Sequence, residues 1–293
     1  MSSEDTFATR NDPLLVKTAD GCPLPLRLLG PRDDPAAPAV LLLAGGDGSM
    51  GWWRALLPAL CRDEAESRLF EPLAPREAFD ATLRVAVWDA RGGGLFDGPV
   101  HLVGHGRGGI AAAMAALEAP ELVVSLTLVS TPLAVDDAAA CDLVLSGPES
   151  VARALAPGWA ERHEDVAAAL LAEAGLLAAW AARLGAHDSS AGPGTFEELD
   201  LERRLAALDR PLLLIHGRSD AIVRPDSTRA FGRRAGDGVR LIELEGGHLL
   251  PVECAPEVAA AVVEHVAAAG RRGRPARPRA QFAQLHPGAG GED

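Results

Sequence analysis

Short apolar runs, separated by segments with helical patterning, are the feature of this sequence that most constrains its fold. A strand that is buried on both faces of a sheet has a nearly continuous apolar sequence, because neither face contacts water. Strands that alternate with helices form a mostly parallel sheet with helices on both faces. The sequence therefore predicts an α/β fold. The predicted strands are Leu14–Lys17, Leu24–Leu29, Ala39–Leu43, Leu83–Trp88, Val100–Val103, Leu122–Ser130, Leu212–His216 and Val239–Leu244.

The first two predicted strands are joined by Asp20-Gly21, a dipeptide typical of tight hairpin turns. We therefore expect an antiparallel hairpin at the N-terminal end of an otherwise parallel sheet. The later strands are separated by segments whose apolar residues recur with helical spacing. The predicted helices are Trp52–Cys61, Ile110–Leu117, Glu197–Leu208 and Pro256–Ala269.

One Ala-rich block with helical patterning, residues 133–195, interrupts the alternation of strands and helices. We predict that it is a helical lid inserted between two parts of one α/β core, residues 13–132 and 196–270. The polar residues 1–12 and the Arg-, Pro- and Gly-rich residues 271–293 are expected to be disordered, because they lack the apolar side chains that a core requires.

Composition excludes several classes of function. Hydrophobic residues make up 48% of the chain, and the formal net charge is −13. An acidic surface repels phosphate backbones, so nucleic acid is not an expected partner. The chain has neither a signal-peptide pattern nor an uncharged apolar run long enough to cross a bilayer, so we expect no membrane association and a cytoplasmic location. The four cysteines are widely spaced, which argues against a structural metal site.

The most informative motif follows the predicted strand Val100–Val103. Its glycines, Gly104, Gly106 and Gly109, match the G-x-G-x-x-G fingerprint of dinucleotide-binding proteins. That fingerprint requires an acidic residue about 20 positions later to bind the ribose. The first downstream candidate is Asp136, and the strand in between ends without a carboxylate. A nucleotide-binding oxidoreductase is therefore a weak alternative.

The same segment also reads Gly104-His105-Gly106-Arg107-Gly108, which differs only at its centre from the G-x-S-x-G nucleophile motif on a strand-to-helix turn. A glycine-rich loop follows an earlier strand, Asp220 follows a later strand, and His248 follows the last one. With these four segments in this order, the chain resembles the α/β-hydrolase family over residues 13–270. It is most similar to the lidded hydrolases that act on small molecules.

The resemblance implies roles for particular residues. Asp220 and His248 would be the acid and the base, and Gly106 stands where the family has its serine nucleophile. Backbone N–H groups would form the oxyanion hole, and side chains near the pocket would contact a small-molecule substrate. The oxyanion candidates are Arg107, Gly46 and Asp47, and the substrate-binding candidates are Trp52, Ser49 and Ser130. The resemblance implies neither a metal ion nor an organic cofactor.

Glycine at position 106 leaves three functional hypotheses open, since it removes the hydroxyl that would form an acyl-enzyme. His248 could activate water for direct hydrolysis of an ester, a lactone or a similar carbonyl compound of mostly apolar character. It could instead abstract a proton from a bound substrate, as in a lyase or an isomerase. The third hypothesis is a hydrolase-like protein that binds its ligand and is catalytically silent. Ser49 and Ser130 are the candidates that could replace the missing hydroxyl, but each is better explained as a loop or capping hydroxyl.

The connection between the strands that end at Trp88 and begin at Val100 is short for this family. It contains three consecutive glycines and has no helical pattern, yet we expect its two strands to flank a third strand. An extended chain of this length reaches roughly 30 Å, which is just enough to cross that strand. One face of the sheet then lacks a helix. Residues 62–82 or a second copy of the chain in a homo-oligomer would have to cover it.

Overall fold

The computed structural model contains a single eight-stranded sheet with the strand order β1-β2-β4-β3-β5-β6-β7-β8. The residues that the structure describes are 14–17, 23–29, 37–43, 50–53, 55–57, 60, 84–88, 99–134, 148–172, 174 and 200–271. The strands are β1 Leu14–Lys17, β2 Pro23–Leu29, β3 Ala39–Leu43, β4 Arg84–Trp88, β5 Val100–His105, β6 Val123–Val129, β7 Leu212–Gly217 and β8 Val239–Leu244.

The order and direction of the strands agree with the predicted fold. β2 is antiparallel to β1 and to β4, and every other neighbouring pair is parallel. β4 and β5 lie on either side of β3, as the sequence predicts. Residues 89–98 of the connection between them, as well as residues 62–82, lie outside the described residues.

Strand β3 shows why the sheet is buried on both faces. Val40 and Leu42 belong to one hydrophobic cluster and Leu41 and Leu43 to a second cluster, because alternate side chains of a strand point in opposite directions. All five residues of β3 are buried. Complete burial of one leucine side chain contributes about 1.5–3 kcal/mol, so this short strand is a substantial part of the core.

Helices cover both clusters. The helix after β5, the helix before β7 and the helix after β7 pack on the face that includes Leu41, while the C-terminal helix and residues 148–172 pack on the face that includes Leu42. The described helices are α1 Arg107–Glu118, α2 Pro148–Ala154, α3 Trp159–Arg162, a helical stretch at 164–172, α4 Leu201–Ala206, α5 Pro225–Ala235, α6 Leu250–Glu253 and α7 Ala255–Arg271. The predicted fold class is thereby confirmed.

Several helices differ from the sequence prediction: α4 ends at Ala206 rather than at Leu208, α6 is an additional short helix, and α1 and α5 differ as follows. Helix α1 begins at Arg107, whereas the sequence predicts a start at Ile110. The prediction is late because the first turn contains Gly108 and Gly109, and glycine usually disfavours helices. The whole of α5 was not predicted, although Pro225 stands at the start of the helix, where proline is favoured. Polar and arginine residues dominate α5, and only Pro225, Thr228 and Phe231 are buried, so its apolar periodicity is weak.

The predicted helix Trp52–Cys61 lies only partly within the described residues. A 3₁₀ helix spans Met50–Trp53, and Leu57 and Leu60 have helical backbone among the described residues that follow. Helix α7 continues to Arg271, and the rest of the predicted tail lies outside the described residues, as do residues 1–12. Within the described part of the chain, no helix has the length and apolarity required to cross a membrane.

Candidate active site

The turn between β5 and α1 is formed by Gly106. Its φ of 54° and ψ of −123° lie in a region that side chains with a Cβ rarely adopt. Its N–H donates to the carbonyl oxygen of Val129 at 3.0 Å, and its own carbonyl oxygen accepts from the N–H of Gly109 at 3.1 Å. These bonds hold the turn at the carboxyl-terminal edge of the sheet, where ligands bind in open α/β sheets.

The outer glycines of the motif have a packing role. A Cβ atom on Gly104 would lie 2.5 Å from the carbonyl oxygen of Gly108, and one on Gly109 would lie 1.8 Å from Oγ1 of Thr131. Both distances are far below van der Waals contact. These glycines therefore allow α1 to pack closely against β5 and the residues after β6, and this explains their spacing without a bound dinucleotide.

Asp220 lies in the loop after β7 and is buried. Its Oδ1 accepts N–H groups from Ile222 and Val223, each at 2.9 Å, and its Oδ2 lies 2.9 Å from Nδ1 of His248. Burial by itself would raise the pKa of Asp220. Attraction to His248 and the hydrogen bonds from His216 and His248 outweigh that effect and hold the pKa well below its usual range.

His248, in the loop after β8, is held between Asp220 and the turn at Gly106. Because Nδ1 faces the Asp220 carboxylate, that nitrogen carries the proton, and Nε2 is left as the unprotonated ring nitrogen. A Cβ atom on Gly106 would lie 3.3 Å from Nε2 and 3.8 Å from Cε1 of His248. The structure thus brings together the three residues that the sequence predicts as an acid, a base and the centre of the turn.

A second buried histidine contacts Asp220 and was not predicted. Nε2 of His216 lies 2.8 Å from the carbonyl oxygen of Val223 and 3.4 Å from Oδ2 of Asp220. Since Nε2 faces two acceptors, it carries the proton, and the Thr228 hydroxyl donates to the other nitrogen, Nδ1, at 3.0 Å. The only sequence signal for His216 is its position near the end of a strand. Its three partners, Asp220, Val223 and Thr228, all come from later segments.

His105 contacts His248 through a hydrogen bond to its backbone and through the two rings. Its Nε2–H donates to the carbonyl oxygen of His248 at 2.8 Å, and the two ring centroids are 4.9 Å apart. The ring of Trp53 approaches His105 edge-on at 6.2 Å. Burial, followed by repulsion from His248, lowers the pKa of His105 to about 3, so the ring is neutral near pH 7.

The remaining predicted residues fall into two groups. Arg107 begins α1, directly after the turn, and both Trp52 and Ser130 are buried. Ser130 has a φ of 45°, and within the described residues neither its hydroxyl nor the indole N–H of Trp52 has a hydrogen-bond partner. Gly46, Asp47 and Ser49 lie outside the described residues, and so does the predicted oxyanion loop that contains them.

A mostly parallel sheet with helices on both faces, and an aspartate–histidine pair that faces a strand-to-helix turn, define a hydrolase-type α/β scaffold. The chain belongs to the alpha/beta hydrolase family, whose sequence profile matches residues 40–261. It is 32% identical over 209 residues to the protein named "Putative carbamate hydrolase RutD" of Azorhizobium caulinodans. The aligned region covers 64% of this chain and 76% of that protein.

Solved structures share the fold at lower identity. The enol-lactonase from Burkholderia xenovorans LB400 superposes with a TM-score of 0.62 at 18% identity and covers 87% of this chain and 100% of its own. A hydrolase from Pseudomonas aeruginosa PA01 gives 0.60 at 23% identity, with 88% and 99% coverage. A thermophilic esterase from Thermogutta terrifontis gives 0.59 at 20% identity, with 88% and 99% coverage.

Proposed function

We propose that this protein hydrolyses a small, mostly apolar ester, lactone or similar carbonyl compound without a covalent intermediate. His248 is the general base, Asp220 orients it, and Gly106 occupies the position of the nucleophile that the family motif places on this turn. The observation that carries the proposal is the distance of 3.3 Å between Nε2 of His248 and the Cβ position of Gly106. Nε2 faces the position at which Gly106 supplies no hydroxyl.

In this mechanism, a water molecule binds beside Nε2 of His248 at the side of Gly106. The base removes a proton from the water as its oxygen attacks the substrate carbonyl carbon. Asp220 stabilises the imidazolium that forms and keeps the proton on Nδ1. His248 then donates the acquired proton to the leaving oxygen as the carbon–oxygen bond breaks. The products are a carboxylic acid and an alcohol, or a hydroxy acid from a lactone.

The negative charge on the carbonyl oxygen requires hydrogen-bond donors in the transition state. We assign this role to the backbone N–H of Arg107, at the N-terminus of α1, together with an N–H from the segment Gly46-Asp47. The helix dipole of α1 adds to the stabilisation, because its positive end points toward the turn. Trp52, Ser49 and Ser130 are assigned to the substrate pocket.

The proposed substrate class is supported by the apolar surroundings and by the relatives. Trp52, Trp53 and Trp159 belong to one hydrophobic cluster with residues of α2, and Trp53 contacts His105, which in turn contacts His248. The names of the relatives describe hydrolysis of carbamates, enol-lactones and esters. We propose that residues 133–195 form a lid over the pocket between the two parts of the core, 13–132 and 196–270.

The second candidate is a binding protein of the same fold that turns nothing over, and the absence of a side-chain hydroxyl at Gly106 favours it. Hydrolysis of short-chain and medium-chain p-nitrophenyl esters separates the two candidates. We expect activity in the natural protein and its loss in His248→Ala, with Asp226→Asn, at an exposed aspartate of α5, as the control. An inert natural protein with an active Gly106→Ser variant would favour the binding protein instead.

A further inference from the structure

Glu253, the last residue of α6, binds the backbone on both sides of His248. Its Oε2 accepts the N–H of Gly247 at 3.0 Å, and its Oε1 accepts the N–H of Leu249 at 3.0 Å. The N–H groups of the two residues that flank His248 are therefore bound to one carboxylate. This carboxylate does not contact the imidazole of His248, so its effect on the ring is exerted through the backbone.

The same carboxylate also attaches a distant segment to the histidine loop. Oε2 of Glu253 accepts the N–H of Ala156 at 2.7 Å, while the N–H of His248 donates to the carbonyl oxygen of Ala154, also at 2.7 Å. Gly247 packs directly on this segment, since a Cβ atom on it would lie 2.4 Å from the same carbonyl oxygen. The end of α2 and the histidine loop are thus in direct backbone contact.

A carboxylate is required for this arrangement. Its two oxygens accept three N–H groups from Ala156, Gly247 and Leu249. A glutamine amide has only one acceptor oxygen, so in either orientation its NH₂ group would face at least one N–H donor. Burial raises the pKa of Glu253, and the three N–H groups lower it again in part, because hydrogen bonds of this kind favour the ionised form.

We propose that Glu253 is the positioning residue of His248. It fixes the backbone at Gly247 and Leu249 and thereby sets the direction of Nε2 toward Gly106 and of Nδ1 toward Asp220. Its bond to Ala156 makes the end of α2 part of the same support. This inference rests on the proposed function only for its effect on turnover, because the position of the His248 ring can be measured without a substrate.

The test compares Glu253→Gln with Glu257→Gln in the full chain. Glu257 is an exposed glutamate four residues later and serves as the matched control. Proton–nitrogen correlation spectra of protein labelled with ¹⁵N-histidine report the Nδ1–H of His248, and amide exchange reports Gly247, Leu249 and Ala156. We expect Glu253→Gln to shift or broaden the His248 signal and to speed exchange at these amides by more than about 10-fold, while Glu257→Gln changes neither.

For turnover of a p-nitrophenyl ester, we expect Glu253→Gln to lower kcat by about 10–100-fold with KM changed by less than about 2-fold, because a misplaced base affects the chemical step more than binding. Unchanged His248 signals and unchanged kcat in a folded Glu253→Gln protein would overturn the proposal. If the natural protein hydrolyses nothing, the proposed function fails and the spectra alone decide the role of Glu253.

Glu253→Asp covers the case in which Glu253→Gln does not fold. Aspartate keeps the charge, but its shorter side chain cannot reach all three N–H groups at once. We expect a folded protein whose His248 signal is shifted and whose kcat lies between those of the natural protein and Glu253→Gln or, where the latter does not fold, about 3–30-fold below the natural protein. A Glu253→Asp protein with the natural His248 spectrum and natural kcat would contradict the proposal.

Discussion

Among the described residues and apart from its own chain neighbours, a Cβ atom placed on Gly106 would lie within 4 Å only of the His248 ring, with Nε2 at 3.3 Å. A serine side chain at this turn would therefore lie directly beside the base. We expect Gly106→Ser to react covalently with a fluorophosphonate probe, because its hydroxyl would come within hydrogen-bond reach of Nε2. Labelling is detected by intact-protein mass spectrometry.

The same substitution should lower the free energy of unfolding by about 1–3 kcal/mol, since φ at this turn is 54° and any Cβ is strained there. Gly106→Ala is the matched control: it should lose similar stability in urea denaturation but take up no probe. An unlabelled Gly106→Ser protein would show that Nε2 of His248 does not serve this position.

Removal of the negative charge on Asp220 should reduce turnover strongly. In Asp220→Asn the side chain keeps its shape, but its NH₂ group can face Nδ1 of His248 and favour the wrong tautomer. We expect kcat for an ester to fall by about 10²–10⁴-fold with little change in KM. Asp226→Asn, at an exposed aspartate in the first turn of α5, is the control. A decrease in KM alone would argue against the assigned role.

His105 should make stability depend on pH in the mildly acidic range. Its pKa is about 3 in the folded protein and 6.5 in the unfolded chain, so the unfolded state binds an additional proton between these values. The contribution is present above pH 6.5 and is lost as the pH falls toward 3. The expected slope is at most about 1.4 kcal/mol per pH unit for this group.

Urea denaturation at several pH values between about 4 and 8 measures that slope, because this range includes the pH at which histidine titrates in the unfolded chain. His105→Gln should flatten it. Asp220 adds a separate effect at lower pH, because its pKa in the folded protein lies below the usual value of 3.8. Its contribution to stability is present above that pH and is lost as the pH falls further. An equal slope in His105→Gln and the natural protein would contradict the assignment.

Thr228 should stabilise the protein through His216. Thr228→Val keeps the shape of the side chain and removes the hydroxyl that donates to Nδ1 of His216, so a buried acceptor is left without a donor. The expected loss in the free energy of unfolding is about 1–3 kcal/mol. Ser227→Ala, at the adjacent and exposed hydroxyl, should change it by less than about 0.5 kcal/mol. Equal effects of the two substitutions would exclude this role.

Most of the sheet could be predicted because burial on both faces produces a local sequence pattern. Leu14–Lys17, Ala39–Leu43 and Val239–Leu244 have the predicted bounds, and the other described strands differ by one or two residues. The start of α1 could not be predicted from helix propensity. Glycine is required at position 109 because a Cβ atom there would clash with Thr131, which follows a different strand.

Part of the candidate site could also be predicted from the sequence. Asp220 and His248 each follow a strand, and the carboxyl ends of parallel strands meet at one edge, so their proximity follows from the fold. The contacts made by His216 and Glu253 could not be predicted. They depend on hydrogen bonds to Val223, Thr228 and Ala156, and no local pattern indicates which backbone groups a folded chain will bring to a buried side chain.

Gly217 lies against the histidine loop without any side chain between them: a Cβ atom on it would come within 2.1 Å of the carbonyl oxygen of Gly247. The spacing between the loop that carries Asp220 and the loop that carries His248 is therefore set by contact between two main chains. Substitutions elsewhere in the core can change the packing of side chains without changing this contact. Any side chain at position 217 would have to push the histidine loop away from Asp220, so the separation of the acid and the base depends on a residue that touches neither of them.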